Sequence, residues 1–198
     1  MIVATFLRHG SNALLAAGIV LFALAIPFGF GAPAPYVALG VLLFFLSEYG
    51  THRFLLHAPP STQPVVLRAQ HRLHYDHHLE PERLDLLFLP PWFLVPVLGL
   101  FALAYWLFSH NLIVVGALVF GNLLGLLYYE WVHYVAHIPF QPRTRFGRWI
   151  KKYHLWHHFK SERLWFGVTN PIADYGARTY RQVDEVERSG NTRVLFPK

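Results

Sequence analysis

Within Ala13–Gly31, Tyr36–Tyr49, Trp92–Phe108 and Leu112–Tyr129 the only charged side chain is Glu48, and the second stretch runs on to about Phe54. About 20 apolar residues cross a bilayer. In lipid every backbone N–H and C=O must be satisfied inside the segment, which leaves the helix as the spanning element for stretches of this kind. Composition agrees: charged residues are 14% of the chain, against roughly 25% in an ordinary soluble domain. The expectation is an all-α integral membrane protein with about four transmembrane helices. The second and third stretches are short and need tilt or burial against neighbours. Pro33 and Pro35 break the first pair of helices at a tight turn, and Ser109-His110-Asn111 makes an equally short turn between the third and fourth. Two hairpins result.

Neither turn contains Lys, Arg, Asp or Glu. The cations are Arg8 at the amino end, Arg53, Arg68, Arg72 and Arg83 in the middle loop, and the rest from Arg143 onward. With Glu48 and Glu130 at helix ends, the carboxylates fall on the same side. The positive-inside rule then predicts cytosolic termini and a cytosolic Thr51–Asp85 loop. The net charge of +6 suits anionic lipid head groups or an acidic redox partner, and topology bias alone also accounts for it. No basic stripe lies outside the membrane flanks, so nucleic acid is not an expected partner. Arg8 before an apolar stretch and Ala32-Pro33-Ala34 loosely resemble a cleaved signal peptide, but the stretch is long and prolines crowd the cut. Gly121 and Gly125 form GxxxG, either a helix-packing face or routine small-residue packing. Gly29-Phe30-Gly31 is only a fragment of a dinucleotide motif at a helix end.

The chain has 13 histidines and no cysteine. Disulfides, iron–sulfur clusters and thiolate zinc sites are excluded, and a metal site must be built from imidazole with or without carboxylate. Ten histidines form four clusters: His52 and His57 (HX4H), His74, His77 and His78 (HX2HH), His133 and His137 (HX3H), and His154, His157 and His158 (HX2HH). On a helix, positions i, i+3 and i+4 share a face, so each HX2HH set is expected to point one way. His52 and His57 lie about 140° apart on an α-helix; they straddle a site, or the helix unwinds between them. All four clusters stand near helix ends on the predicted cytosolic side. Ten imidazoles exceed the needs of one ion, whereas two ions with four or five histidines each use them all. Imidazole suits Zn, Cu, Fe and Ni alike. Burying so many imidazoles without partners is costly, which weighs against packing as their purpose. Glu130, one turn before His133, Asp76 between two candidate ligands, and His71, three residues before His74, are candidates for orienting the ligands; each has a plainer reading as surface or helix-end polarity. Asp174 reads as structural. Trp92, Phe93, Tyr129 and Trp131 are candidates to line an acyl groove, with an interfacial aromatic belt the plainer account.

The order HX4H, HX2HH, HX3H, HX2HH resembles the fatty acid hydroxylase superfamily, which also holds sterol desaturases and methyl oxidases. Within it the chain is similar to the fatty acid 2-hydroxylases. The stretches that carry the likeness are Glu48–His57, His71–His78, Arg83–Pro91, Tyr128–His137 and Tyr153–Tyr175, the last with FGVT after the final histidine cluster. The resemblance covers roughly residues 40–180 of a single membrane-embedded domain spanning 1–198, with a polar tail from Arg181 that is a surface helix or a mobile end. It implies a cytosolic helical cap over four membrane helices, two metal ions held by the ten histidines, and O2-dependent hydroxylation of a lipid acyl chain, at C2 of a free or sphingolipid-bound fatty acyl group. It also implies electrons from a separate carrier of the cytochrome b5 or ferredoxin type. Iron follows from the reaction, since zinc has no redox chemistry, although zinc can replace it in an expressed protein. Glu130 stands where the family suggests aspartate, and Ile138 where many relatives carry another histidine. The rival readings are a sterol or carotenoid oxidase or desaturase on the same scaffold, and a transition-metal transporter. The latter calls for polar ligands near mid-membrane along a path, and the spans hold no mid-membrane histidine or carboxylate.

Overall fold

The computed structural model describes residues 2–26 and 33–196, and among them every regular element is helical. The elements are α1 (Ile2–Arg8), α2 (Gly10–Ala25), α3 (Ala34–Gly50), α4 (Pro64–Gln70), α5 (Asp76–Leu79), α6 (Leu84–Leu87), α7 (Pro91–Ser109), α8 (Leu112–His137), α9 (Arg145–Phe159) and α10 (Ile172–Gly176). Two π-helical segments, Thr51–Leu56 and His71–Tyr75, continue α3 and α4. Three helices are long and apolar enough to cross a membrane: Ala34–Leu56, Leu84–Ser109 and Leu112–His137. A fourth is reached if α1 and α2, bent by 93° to one another, count as one span. Asn12 Nδ2 braces that bend by donating to Phe6 O at 3.1 Å. The first apolar stretch is therefore helical to Ala25. Gly29-Phe30-Gly31 and the first residue of Ala32-Pro33-Ala34 lie outside the described residues.

The chain forms two compact units, Met1–Phe45 with Leu89–Glu130, and Leu46–Phe88 with Trp131–Lys198. In the first unit, helix pairing is set by small residues. A Cβ on Gly121 falls 2.2 Å from Val37 O and 2.9 Å from Gly40 Cα, and one on Gly40 falls 2.2 Å from Leu118 O. Glycine there lets the backbones of α3 and α8 touch, as small residues do between membrane helices. Gly125 meets the Phe44 ring in the same way. Pro90 and Pro91 start α7, where a missing N–H costs nothing, and Pro96 lies within it. The turn after α7 is made by His110 in the left-handed region (φ 48°) and by Asn111 Oδ1, which accepts from Ile113 N at 2.9 Å to begin α8.

In the second unit, α9 begins at the N-cap Thr144, whose side chain accepts from Gly147 N. Lys151 on α9 donates to Val135 O (3.0 Å), Ile138 O (2.7 Å) and Phe140 O (3.0 Å). One half-buried cation thus supplies a charged donor to three carbonyls at and just beyond the end of α8 and favours that helix's negative pole. It fixes the end of α8, which bears His133 and His137, against α9, which bears His154, His157 and His158. The tail after Arg181 is a strap. Trp165 Nε1 donates to Arg181 O (3.0 Å) and Ser189 N to Lys160 O (2.8 Å). Thr192 and Leu195 are buried, and the Phe196 ring packs tilted against Tyr75, centroids 5.5 Å apart.

Candidate metal centre

All ten clustered histidines meet in the second unit, in two groups of five. His52, His57, His74, His78 and His157 form one; His77, His133, His137, His154 and His158 form the other. Within each, one ligand nitrogen per residue lies within 4.8 Å of all the rest. Eight of the ten are buried, and His57 and His137 are half-buried.

Local helical geometry explains the sorting. His57 N bonds to His52 O at 3.1 Å, an i→i+5 link, so the π-helical turn brings residues five apart onto one face where an α-helix holds them far apart. This is the unwinding alternative left open by the HX4H spacing. The expectation that each HX2HH set points one way is corrected. His74 and His78, four apart, enter the first group while the adjacent His77 enters the second. On α9 the arrangement is reversed: His154 and His158 join the second group and His157 the first. Neighbouring residues diverge by about 100° around a helix, so each set reaches both groups and ties them together. The His78 and His158 rings stack across the junction at 4.2 Å.

The chemistry of these donors fits metal ions. Nitrogens bound at about 2.0–2.1 Å to a common ion stand roughly 3 Å apart. The Nε2 atoms here approach to 3.2 Å (His52–His74), 2.8 Å (His74–His57) and 3.0 Å (His157–His57) in the first group, and to 3.1 Å (His133–His77) and 2.9 Å (His137–His154) in the second. Neither ring nitrogen of His158, nor Nε2 of His78, has a hydrogen-bond partner although both are buried. An orphaned buried polar atom costs about 1–3 kcal/mol, and a coordinated ion removes that cost. Burial, reinforced by the neighbouring imidazoles, holds His57, His74, His77, His154, His157 and His158 well below the usual histidine range, and burial pushes His78 down to about 3. At neutral pH these rings are uncharged and keep a lone pair for a cation.

In the first group backbone carbonyls set the tautomers. His52 Nδ1 donates to Phe166 O, His157 Nδ1 to Leu164 O at 2.8 Å, and His78 Nδ1 to Thr192 O at 2.9 Å. With Nδ1 protonated, Nε2 is left to face the centre. The loop that supplies Phe166 O is itself clamped by two buried carboxylates. Asp174 accepts from Phe166 N (2.9 Å), Gly167 N (2.7 Å) and Tyr153 OH (2.8 Å). Glu48 accepts from Val168 N (2.7 Å), Thr169 N (2.9 Å) and the Thr169 hydroxyl. A Cβ on Gly167 would lie 2.0 Å from Asn170 O, so glycine is required there. This is the physical content of the FGVT segment.

The three candidate orienting groups are placed differently. His71 Nδ1 and Asp76 Oδ1 pair with each other at 2.8 Å in half-exposed positions. Glu130 is buried and accepts from Leu89 N at 3.2 Å. The orienting groups that sequence reasoning missed are the carbonyls of Leu164, Phe166 and Thr192, together with Lys151. Glu48 carried a signal, as a lone carboxylate in an apolar helix. The backbone acceptors carried none.

Membrane-length apolar helices and two all-imidazole groups that could each hold a metal ion define a histidine-box type of helical protein. The fatty acid hydroxylase profile matches residues 37–179, and the chain belongs to that family. It is 34% identical over 139 residues to the fatty acid 2-hydroxylase of Homo sapiens, covering 69% of this chain and 37% of that protein. It is 35% identical over 152 residues to the ceramide very long chain fatty acid hydroxylase of Saccharomyces cerevisiae, covering 71% and 36%. The dihydroceramide fatty acyl 2-hydroxylase of Arabidopsis thaliana is 33% identical over 141 residues, covering 70% and 57%. The solved structure of full-length Scs7p, in which only the hydroxylase domain is visible, superposes with a TM-score of 0.73 at 30% identity, covering 89% of this chain and 67% of that one. The chain spans only 37% of the length of the human relative.

Proposed function

We propose that this chain is a membrane monooxygenase that uses O2 to hydroxylate a lipid acyl chain at C2, the acyl group being free or linked to a sphingoid base. The observation that carries the reading is the pair of five-histidine groups in a chain whose relatives bear fatty acid 2-hydroxylase names. The ten histidines are proposed as ligands of two metal ions. Iron is proposed for both, because the reaction needs a redox metal and zinc is not one.

Bound at these groups, the metals would supply the activation of O2 and the electron transfer that C–H hydroxylation requires. The chain's own part is to present neutral imidazoles in fixed tautomers, through the carbonyls of Leu164, Phe166 and Thr192. It also keeps water from the ring nitrogens by burial, and so holds the donor set ready before the ions arrive. Electrons are proposed to come from a cytochrome b5- or ferredoxin-type carrier docking on the basic face. The concentration of Lys and Arg at Arg8, in the middle loop and after Arg143 supports a cytosolic location for the termini and the metal centre. The two compact units are read as parts of one hydroxylase domain, since the family match runs through both.

The test is expression with added iron and a competent reductase, followed by mass spectrometry of total fatty acids against a His157→Ala control. New 2-hydroxy acyl chains, missing from the control, are expected. Their absence from a protein loaded with two metals would overturn the assignment.

A further inference from the structure

A cavity of about 480 Å³ opens on the first histidine group, within the size range of small-molecule sites, with Arg53, His57, Arg163, Phe166, Leu195 and Phe196 among its walls. It brings together a histidine of the centre, two guanidinium groups and the buried carboxylate of Glu162, which pairs with Arg163 at 3.4 Å and leaves Arg53 as the guanidinium without a carboxylate partner among the described ion pairs. Part of its wall is the C-terminal strap. Arg53 is fixed in place. Its Nη1 donates to Tyr49 OH at 2.6 Å, Tyr49 OH meets Thr179 Oγ1 at 2.9 Å, and Thr179 Oγ1 donates to Asp174 Oδ1 at 2.7 Å. The guanidinium also lies over the rings of Tyr49, Phe54 and Phe166, 5.1–5.8 Å from their centroids. Asp174 therefore anchors, through one connected set of bonds, both the loop that orients His52 and the arginine that borders the cavity.

This inference rests on the reading of the site as a C2 hydroxylase. The carbonyl oxygen of an acyl group lies about 2.4 Å from C2, as a peptide oxygen does from its Cα. An enzyme that oxidises C2 must therefore seat the polar head of its substrate directly beside its metal ligands. We infer that this cavity is the head-group subsite, and that Arg53 donates to the acyl carbonyl oxygen and so sets which carbon faces the histidines. The shared chemistry is a carbonyl acceptor, presented either by a free fatty carboxylate or by an amide-linked acyl chain. The guanidinium's remaining N–H groups supply a planar fork for either. Arg163, largely exposed and paired through Nε with Glu162 at 3.4 Å, also lines the cavity and is placed to receive the outer part of the head. Leu195 and Phe196 shield the apolar side.

The experiment compares wild type with Arg53→Gln and Arg53→Lys in detergent micelles, using two substrates. One is a saturated long-chain fatty acid and the other is the same chain amide-linked to a sphingoid base, each ¹³C-labelled at the carbonyl. Binding is read from the carbonyl resonance with zinc-loaded protein. Turnover is read with iron-loaded protein as KM, kcat and the ratio of 2-hydroxy to 3-hydroxy product, and metal content is measured throughout. Arg53→Gln is expected to return the resonance to its micelle value, to raise KM about tenfold or more, and to let 3-hydroxy product appear, with two metals still bound. Arg53→Lys keeps the charge without the fork and falls between. An effect confined to the free acid assigns the subsite to carboxylates, and one on the amide assigns it to sphingolipid-linked chains; both sustain the inference. Unchanged resonance and unchanged regiochemistry in Arg53→Gln overturn it, even if the wild type hydroxylates at C2. A wild type that makes no hydroxy acid yet shows an Arg53-dependent resonance sinks the hydroxylase reading and leaves the cavity as an acyl-head site.

Discussion

Ending the chain after Gly190 removes Thr192, Leu195 and Phe196. The distinctive consequence falls on His78. Its Nδ1 loses the Thr192 carbonyl at 2.9 Å, the acceptor it has among the described residues, while the ring is buried. Leaving such a donor unsatisfied costs about 1–3 kcal/mol. Losing a partner that orients a metal-binding histidine typically weakens metal affinity about 10- to 100-fold, or about 1.4–2.8 kcal/mol. The second group takes no hydrogen bond from the strap among those described, so its affinity should hold. The assay is a zinc titration with a competing chelator and elemental analysis at saturation. The wild type is expected to bind two ions with comparable affinity, and the truncated chain to bind one as before and one 10- to 100-fold more weakly. Two ions held with wild-type affinity, or equal weakening of both, would refute the assignment of the strap to the first group alone.

Gly121→Ala places a methyl 2.2 Å from Val37 O, a backbone atom that cannot rotate away. It should destabilise the protein by about 1–3 kcal/mol, whereas Gly99→Ala, with nothing within 4 Å, should be neutral or slightly stabilising in the same thermal unfolding series. Lys151→Met leaves three carbonyls at the end of α8 without their charged donor and should cost about 2–3 kcal/mol, with loosened metal binding at the second group, which draws on both helices. Acid should destabilise the metal-free protein. His78 is held near 3 against an unfolded value of 6.5, so the unfolded chain binds the proton first. Stability is then unaffected above pH 6.5 and falls as pH drops from 6.5 toward 3, by up to about 1.4 kcal/mol per pH unit for each such histidine. A melting temperature that is flat or rising across that window would contradict this.

Much of this protein was decided locally, and so could be read from the sequence. Apolar stretches with at most one charge force helices in an apolar medium whatever their neighbours, and α3, α7 and α8 fall where those stretches lie. Histidine spacing is also a local property, and the ten residues it singled out are the ten that the fold gathers. The family likeness rests on the same short motifs. Other features were settled only when distant segments met. The allocation of His77 away from His74 and His78 depends on where α8 and α9 stand, not on spacing. The closeness of His52 to His57 depends on a π-helical turn that no composition rule announces. Phe166 and Thr192 act through carbonyls, which every residue possesses, so nothing in the residue type marks them. Thr192 lies 114 positions from the ring it orients, in a tail whose polarity suggested only a surface. Sequence determines which side chains are available and how each helix presents them. Only the tertiary structure brings backbone acceptors to those side chains, because a hydrogen bond across such a separation exists only after the chain has folded back on itself.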